Sequence, residues 1–167
     1  MLKTTSPLAI ETKAKRGFGL IDVSLGIIAG IGLLVGAVIL FQQVSTNNAV
    51  SEVTRNSVSI SSEVRSAARN LPTFAQLPGV DAEGDVDGTA ADNGGNIAIS
   101  AFGLEPALTS GVSATAADQT FTLRFAGLSE RACNRAAVAK DNLGANVDTA
   151  TCTATGGIGT LAVTYNR

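Results

Sequence analysis

The chain has 167 residues, of which 45% are apolar and 4% are aromatic, and it contains neither histidine nor tryptophan. This length fits one domain with a modest core and argues against a multidomain enzyme. The absence of histidine excludes a His-based catalytic triad and a His-ligated zinc site. The formal net charge of −2 argues against nonspecific attraction to nucleic acid or anionic lipid over the whole surface.

The charges are distributed unevenly along the chain. Residues 1–17 carry four basic residues and one acidic residue, a net charge of +3. Residues 18–167 carry eight basic and 13 acidic residues, a net charge of −5. The opposite net charges indicate that the two segments are structurally distinct parts of one chain.

The first predicted element is an uncharged apolar run of 19 residues, Val23–Phe41. A helix of about 20 residues crosses about 30 Å of hydrocarbon, so this run predicts one transmembrane helix. Basic residues cluster at positions 13–16, and the next basic residue after the run is Arg55. The positive-inside rule therefore places the amino terminus in the cytoplasm and the chain from Gln42 outside. A secretory signal peptide is the alternative, but the run is longer than its usual apolar region and no A-x-A cleavage site follows.

Four glycines in the run form pairs spaced four residues apart, Gly26 with Gly30 and Gly32 with Gly36. Small residues at this spacing allow helix backbones to approach closely in lipid, which favours self-association of the helix. The alternative is that glycine is simply common in transmembrane helices. The spacing alone leaves both interpretations open.

An apolar seam follows the run at alternating intervals of three and four residues, which is the helical period. Its positions are Val50, Val53, Ser57, Ile60, Val64, Ala67 and Leu71. Pro72 ends the pattern, because proline does not continue a helix. We predict one helix over residues 18–71, apolar over 18–41 and amphipathic over 42–71, whose second half packs on the globular body of the chain.

A short motif precedes the apolar run: the basic residues Lys15 and Arg16, then Gly17 and Phe18, and a lone acid, Asp22. The motif resembles the processing signature of type IV pilins, in which a basic leader ends in glycine and the mature chain begins with an apolar residue. The resemblance implies that prepilin peptidase cleaves the Gly17–Phe18 bond and N-methylates Phe18. Residues 1–17 are then a leader that is not part of the fold.

A carboxylate at the edge of an apolar helix is costly to bury, so Asp22 needs an explanation. In type IV pilins the acid at the fifth mature position, normally glutamate, pairs with the free amine of a neighbouring subunit, and the resemblance assigns this role to Asp22. Aspartate is one methylene shorter, which departs from the family. An aspartate at the interfacial end of an ordinary membrane anchor is the alternative.

Two further features resemble the type IVb branch of this family, which includes the major pilins of conjugative thin pili and of some enteric colonisation pili. The leader of 17 residues is long, and no proline interrupts residues 18–71. Phe18 departs from this branch, which often begins with another apolar residue.

Residues 72–167, the globular pilin head by this resemblance, contain short candidate strands separated by turn-rich segments. We predict strands over residues 96–100, 120–125 and 160–165, the last two because apolar and polar residues alternate. Ser129 is placed to cap a helix running to about Lys140. Residues 77–95 and 104–118 are predicted to be outward-facing loops. These elements predict a pilin-like α+β fold, with the long helix packed on a small antiparallel sheet and one accessory helix.

Cys133 and Cys152 are the only cysteines, and the predicted topology places both outside the cytoplasm, where disulfides persist. A disulfide between them would close a loop of about 20 residues and add about 3 kcal/mol of stability. The pair also resembles the C-terminal disulfide region of type IV pilins. Two cysteines without histidine make only half of a zinc site, and a redox motif needs a closer pair.

An acidic stretch over residues 83–88 places Glu83, Asp85 and Asp87 at alternate positions, as in the first half of a calcium loop. Gly94 then stands where a calcium loop needs its bidentate glutamate. We therefore predict a solvated loop, with calcium binding as the alternative.

Together these features predict a structural subunit without a catalytic site or cofactor, which polymerises through Asp22 and the glycine-rich helix. The implied partners are other copies of the chain, prepilin peptidase, the inner-membrane assembly platform with its ATPase, and a host receptor or recipient cell surface. The expected location is the bacterial inner membrane, as a single-pass protein, and then the extracellular pilus. The alternatives are a pseudopilin of a type II secretion system, which a calcium site would favour, and an unprocessed membrane-anchored binding protein.

Overall fold

A computed structural model describes residues 19–102 and 111–167 and shows the predicted α+β class. Helix α1 spans Leu20–Ala68 and helix α2 spans Glu130–Val138. The chain divides into two units, Met1–Phe41 and Gln42–Arg167. We call the second the carboxyl unit; it contains the second half of α1, the sheet and α2.

The described residues form one antiparallel sheet of seven strands in the order β2-β1-β3-β4-β5-β7-β6. The strands are β1 (Pro78–Val80), β2 (Val86–Thr89), β3 (Asn96–Ile97), β4 (Val112–Ala116), β5 (Thr120–Ser129), β6 (Val147–Thr155) and β7 (Ile158–Asn166). Short 3-10 turns lie at Phe74–Gln76, Ile99–Phe102 and Lys140–Asn142. The edge strands of this sheet are therefore β2 and β6.

The second half of α1 packs on the sheet mainly through the predicted seam. Four seam positions are buried: Val53, Ser57, Ile60 and Val64. The prediction was wrong at Ala67, which is exposed, while Ala68 is buried in its place. A step of four residues overshoots a helical turn by about 40° and a step of three falls about 60° short, so Ala68 stays closer to the line of Val64.

α1 ends at Ala68, three residues before the predicted end at Leu71. Leu71 precedes Pro72, and a residue before proline disfavours the helical conformation. The chain leaves the helix in a turn in which the Leu71 N–H donates to the Ala68 carbonyl at 3.0 Å. The predicted start at Phe18 lies outside the described residues.

Alternate residues of β5 and β7 form the centre of the core. The buried side chains are Phe121, Leu123 and Phe125 on β5, and Leu161, Val163 and Tyr165 on β7. The alternation predicted for both segments is confirmed, and both strands are longer than predicted because they pair with each other over most of their length. The predicted strand 96–100 is confirmed only at Asn96–Ile97, where the 3-10 turn that follows ends it.

The prediction of two outward-facing loops was wrong for three segments, which are strands. β1 and β2 form a hairpin within residues 77–95, and β4 lies within residues 104–118. β4 is short and has only small side chains, but it pairs residue by residue with β5, which supplies its hydrogen bonds. Residues 104–110 of the second predicted loop lie outside the described residues.

The predicted cap of the accessory helix is confirmed. The Ser129 hydroxyl accepts a hydrogen bond from the Ala132 N–H at 3.3 Å, so it satisfies a backbone donor in the first turn of α2. α2 ends at Val138, slightly earlier than predicted, and the chain continues into the 3-10 turn at Lys140–Asn142.

Candidate functional site

The amino-terminal part of α1 presents apolar side chains on all sides. Every large apolar side chain from Val23 to Phe41 is between 52% and 77% exposed. This helix is long and apolar enough to cross a membrane, by length and composition. A helix satisfies its own backbone hydrogen bonds, so such a surface is suited to lipid or to other apolar helices.

Packing among the described residues, 19–102 and 111–167, does not require the four glycines of this segment. A Cβ atom built on Gly26, Gly30, Gly32 or Gly36 would meet nothing within 4 Å. Their small size therefore leaves room for a backbone from outside the chain.

The predicted processing residues, Lys15, Arg16, Gly17 and Phe18, lie outside the described residues, and so does the side chain of Asp22. The backbone places Asp22 in the first turn of α1, because the helix begins at Leu20.

The predicted disulfide between Cys133 and Cys152 is confirmed, with their Cα atoms 5.6 Å apart. It joins α2 to β6 and closes a loop with a sequence separation of 19 residues. Gly159 on β7 lies directly beneath it: an added Cβ would be 2.7 Å from the Cys133 Cβ and 2.8 Å from its sulfur. The disulfide thus needs a glycine on the neighbouring strand, a requirement that no local pattern in the sequence indicates.

The acidic stretch begins in the turn of the β1–β2 hairpin and continues into β2, which contains Asp87. The Asp81 carboxylate accepts hydrogen bonds from the backbone N–H groups of Glu83 at 3.1 Å and Asp85 at 2.8 Å. Among the described residues, no group of three His, Cys, Asp or Glu side chains is placed to hold a metal ion. The sequence-based prediction did not include this role of Asp81, although aspartate commonly stabilises turns by such hydrogen bonds.

Two polar side chains that follow β2 are hydrogen-bonded to groups of that strand. The Asn93 amide donates to the carbonyls of Asp87 at 2.5 Å and Thr89 at 3.1 Å. The Asp92 carboxylate accepts from the Thr89 hydroxyl at 2.6 Å and from its N–H at 3.0 Å, and these bonds lower the pKa of Asp92.

Tyr165 connects α1, the sheet and the loop before β6. Its hydroxyl is hydrogen-bonded to the Ser57 hydroxyl and donates to the Leu143 carbonyl at 2.7 Å. Its ring stacks on Phe121 with centroids 4.8 Å apart, and the Arg65 guanidinium lies 5.7 Å from the ring centroid. Burial raises the pKa of Tyr165, and the bond to Ser57 and the charge of Arg65 oppose that shift.

Two arginines form hydrogen bonds between the C-terminal end of α1 and the end of β7. Arg65 donates to the carbonyls of Ala145 at 2.6 Å and Asn166 at 3.1 Å. Arg167 donates to the carbonyls of Leu71 and Pro72, just beyond the helix. A cation at a helix C-terminus also favours the helix dipole.

No protein-family model, curated protein or solved structure matches this chain. The exposed apolar helix and the disulfide-bonded carboxyl unit are therefore the structural features on which a function is inferred.

Proposed function

We propose that this chain is the structural subunit of a type IV pilus, most similar to the type IVb branch, and that it polymerises through α1 after cleavage between Gly17 and Phe18. The observation that carries the proposal is the exposed apolar surface of Val23–Phe41, directly preceded by the basic residues, Gly17, Phe18 and Asp22. An ordinary anchor needs the apolar run but not this motif.

The apolar segment suits a subunit that moves between two apolar surroundings. In the inner membrane, lipid covers Val23–Phe41; in the filament, the same segment of other subunits replaces the lipid. Gly26, Gly30, Gly32 and Gly36 support this exchange, because the open space around each lets another helix approach closely.

Asp22 is assigned the pairing role at the start of the helix. Its carboxylate binds the amine of Phe18 in a neighbouring subunit, which compensates for its transfer into an apolar filament core. Prepilin peptidase, an assembly platform and its ATPase are the partners that this route requires.

The test is the intact mass and amino-terminal sequence of the full chain expressed in a bacterium with a prepilin peptidase and assembly system. We expect material sheared from the cell surface to begin at Phe18 and to carry one additional methyl group. The Gly17→Val variant should remain full-length in the membrane, whereas the same change two residues further on, Gly19→Val, should still be cleaved.

Each other outcome points to a different protein class. A wild-type chain that begins at Met1 and occurs only in the membrane fraction contradicts the proposal and favours an anchored binding protein. A chain that is cleaved but never reaches the sheared fraction favours a pseudopilin.

A further inference from the structure

The two edges of the sheet differ in how well they are protected against pairing with another strand. β2 has only four residues, contains a glycine and follows an acidic turn. Features of this kind protect an edge strand. β6 has nine residues, no proline, lysine or glycine, and one charged residue, Asp148, near its start.

The hairpin between β6 and β7 determines which backbone groups of β6 point outward. Gly156 and Gly157 form a two-residue loop with φ values of 62° and 83°, as in a type I′ turn, and Thr155 pairs with Ile158. The closing pair of such a hairpin exchanges backbone hydrogen bonds, and bonded and non-bonded pairs then alternate. The N–H and C=O groups of Ala150, Cys152 and Ala154 therefore point away from β7. No strand within residues 19–102 and 111–167 pairs with this side of β6.

The sequence of β6 is palindromic around Cys152. Residues 149–155 read Thr-Ala-Thr-Cys-Thr-Ala-Thr in either direction. In an antiparallel pair of two such strands centred on Cys152, Thr151 faces Thr153 of the other copy and Ala150 faces Ala154 of the other copy. Cross-strand threonine pairs stabilise a sheet, and this register brings no like charges together.

We propose that β6 is a self-pairing edge, through which two copies of this chain join their sheets by antiparallel β6–β6 contact centred on Cys152. Ala150, Cys152 and Ala154 of each copy supply the hydrogen bonds between the strands, because their backbone groups are directed outward. The four threonines from Thr149 to Thr155 are exposed on one face, so the contact displaces no packed side chain. If the subunit forms a pilus as proposed above, the same contact joins two filaments side by side.

The test uses two double variants of the full chain in detergent micelles. In Thr151→Lys with Thr153→Lys, each introduced lysine faces a lysine of the other copy. In Thr151→Lys with Thr153→Glu, each lysine instead faces a glutamate. Both variants change the same two exposed positions, so a general effect on folding is matched between them.

The measurement is amide hydrogen exchange at single residues, at low and high protein concentration. In the wild type we expect Ala150, Cys152 and Ala154 to become protected only at high concentration, whereas Thr151 and Thr153 are protected by β7 throughout. The dissociation constant of the lysine–lysine variant should exceed that of the lysine–glutamate variant about tenfold, because like charges oppose each other in two cross-strand pairs. Salt should reduce this difference.

Two results would overturn the proposal: exchange at the three amides that does not depend on concentration, or equal protection in the two double variants. This measurement is made on the full, uncleaved chain, so it does not depend on processing. Its failure would therefore leave the Gly17–Phe18 cleavage unaffected, and a failure of cleavage would leave β6 pairing unaffected.

Discussion

At the residue scale, Tyr165 is the clearest example of a role created by distant parts of the chain. Ser57 lies 108 residues before it, yet the two hydroxyls are hydrogen-bonded. The apolar alternation of β7 predicted that Tyr165 is buried, but not which groups its hydroxyl contacts. A buried hydroxyl needs a partner, and only the packing of α1 on the sheet brings Ser57 to it.

The raised pKa of Tyr165 predicts how stability depends on pH. The unfolded phenol titrates near its ordinary value of 10.0, whereas the folded phenol holds its proton to higher pH because burial disfavours the phenolate. The stabilising contribution is therefore complete below pH 10 and is lost as pH rises through the folded pKa. Tyr165 is the only tyrosine, so tyrosinate absorbance of the full chain reports it alone.

The same titration in denaturant is the control for this prediction, and it should return the ordinary value. A folded chain whose phenol titrates at or below that value would contradict the inferred burial effect.

Asp22 gives a second prediction at this scale, which depends on the proposed function. Asp22→Asn removes the charge that pairs with the amine of Phe18, so we expect cleavage to continue while surface filaments are lost. Asp22→Glu keeps the charge and restores the residue usual in the family, so filaments should remain. The measurement is the ratio of chain in the sheared surface fraction to chain in the membrane; equal ratios for the two variants would refute the role of Asp22.

At the scale of elements, the contact between the disulfide and β7 depends on a missing side chain. Gly159→Ala places a methyl group against Cys133, so α2 or β7 must shift, and overpacking of this kind costs about 1–3 kcal/mol. Gly111→Ala is the matched control, since a Cβ there meets no atom of the described residues within 4 Å. Urea unfolding of the full chain should show a lower midpoint for Gly159→Ala only.

The strands show how far sequence patterns reach at this scale. β5 and β7 were predicted because each carries alternating apolar residues that form the core. β1, β2 and β4 were predicted to lie in loops because each is short, and they become strands only because a neighbouring strand supplies hydrogen bonds. β6 alternates threonine with small apolar residues, of which Ala150 and Cys152 pack against the core, but it carries no large apolar side chain after Val147 and was not predicted as a strand.

At the scale of the whole molecule, the positive-inside rule predicts the orientation of the chain. Protease added to spheroplasts should digest the carboxyl unit, while the amino terminus is protected until the membrane is permeabilised. Replacing Lys13, Lys15 and Arg16 by alanine should reduce digestion of the carboxyl unit, because the charge bias that retains the amino terminus is removed.

Arg55→Ala is the control for orientation, since it lies beyond the apolar run and should leave digestion unchanged. A carboxyl unit that is protected in the wild type would place it on the cytoplasmic side and exclude export.

The sequence by itself determined the apolar segment, the alternating strands β5 and β7, and the Ser129 cap. Each of these depends on residues close together in the chain, because transfer into lipid, helix capping and strand alternation are local properties. Only the tertiary structure decided the hydrogen bonds of Tyr165, the need for Gly159 beneath the disulfide, and the open edge of β6. These arise from contacts between residues far apart in the chain, whose partners are known only once the sheet and helices have packed.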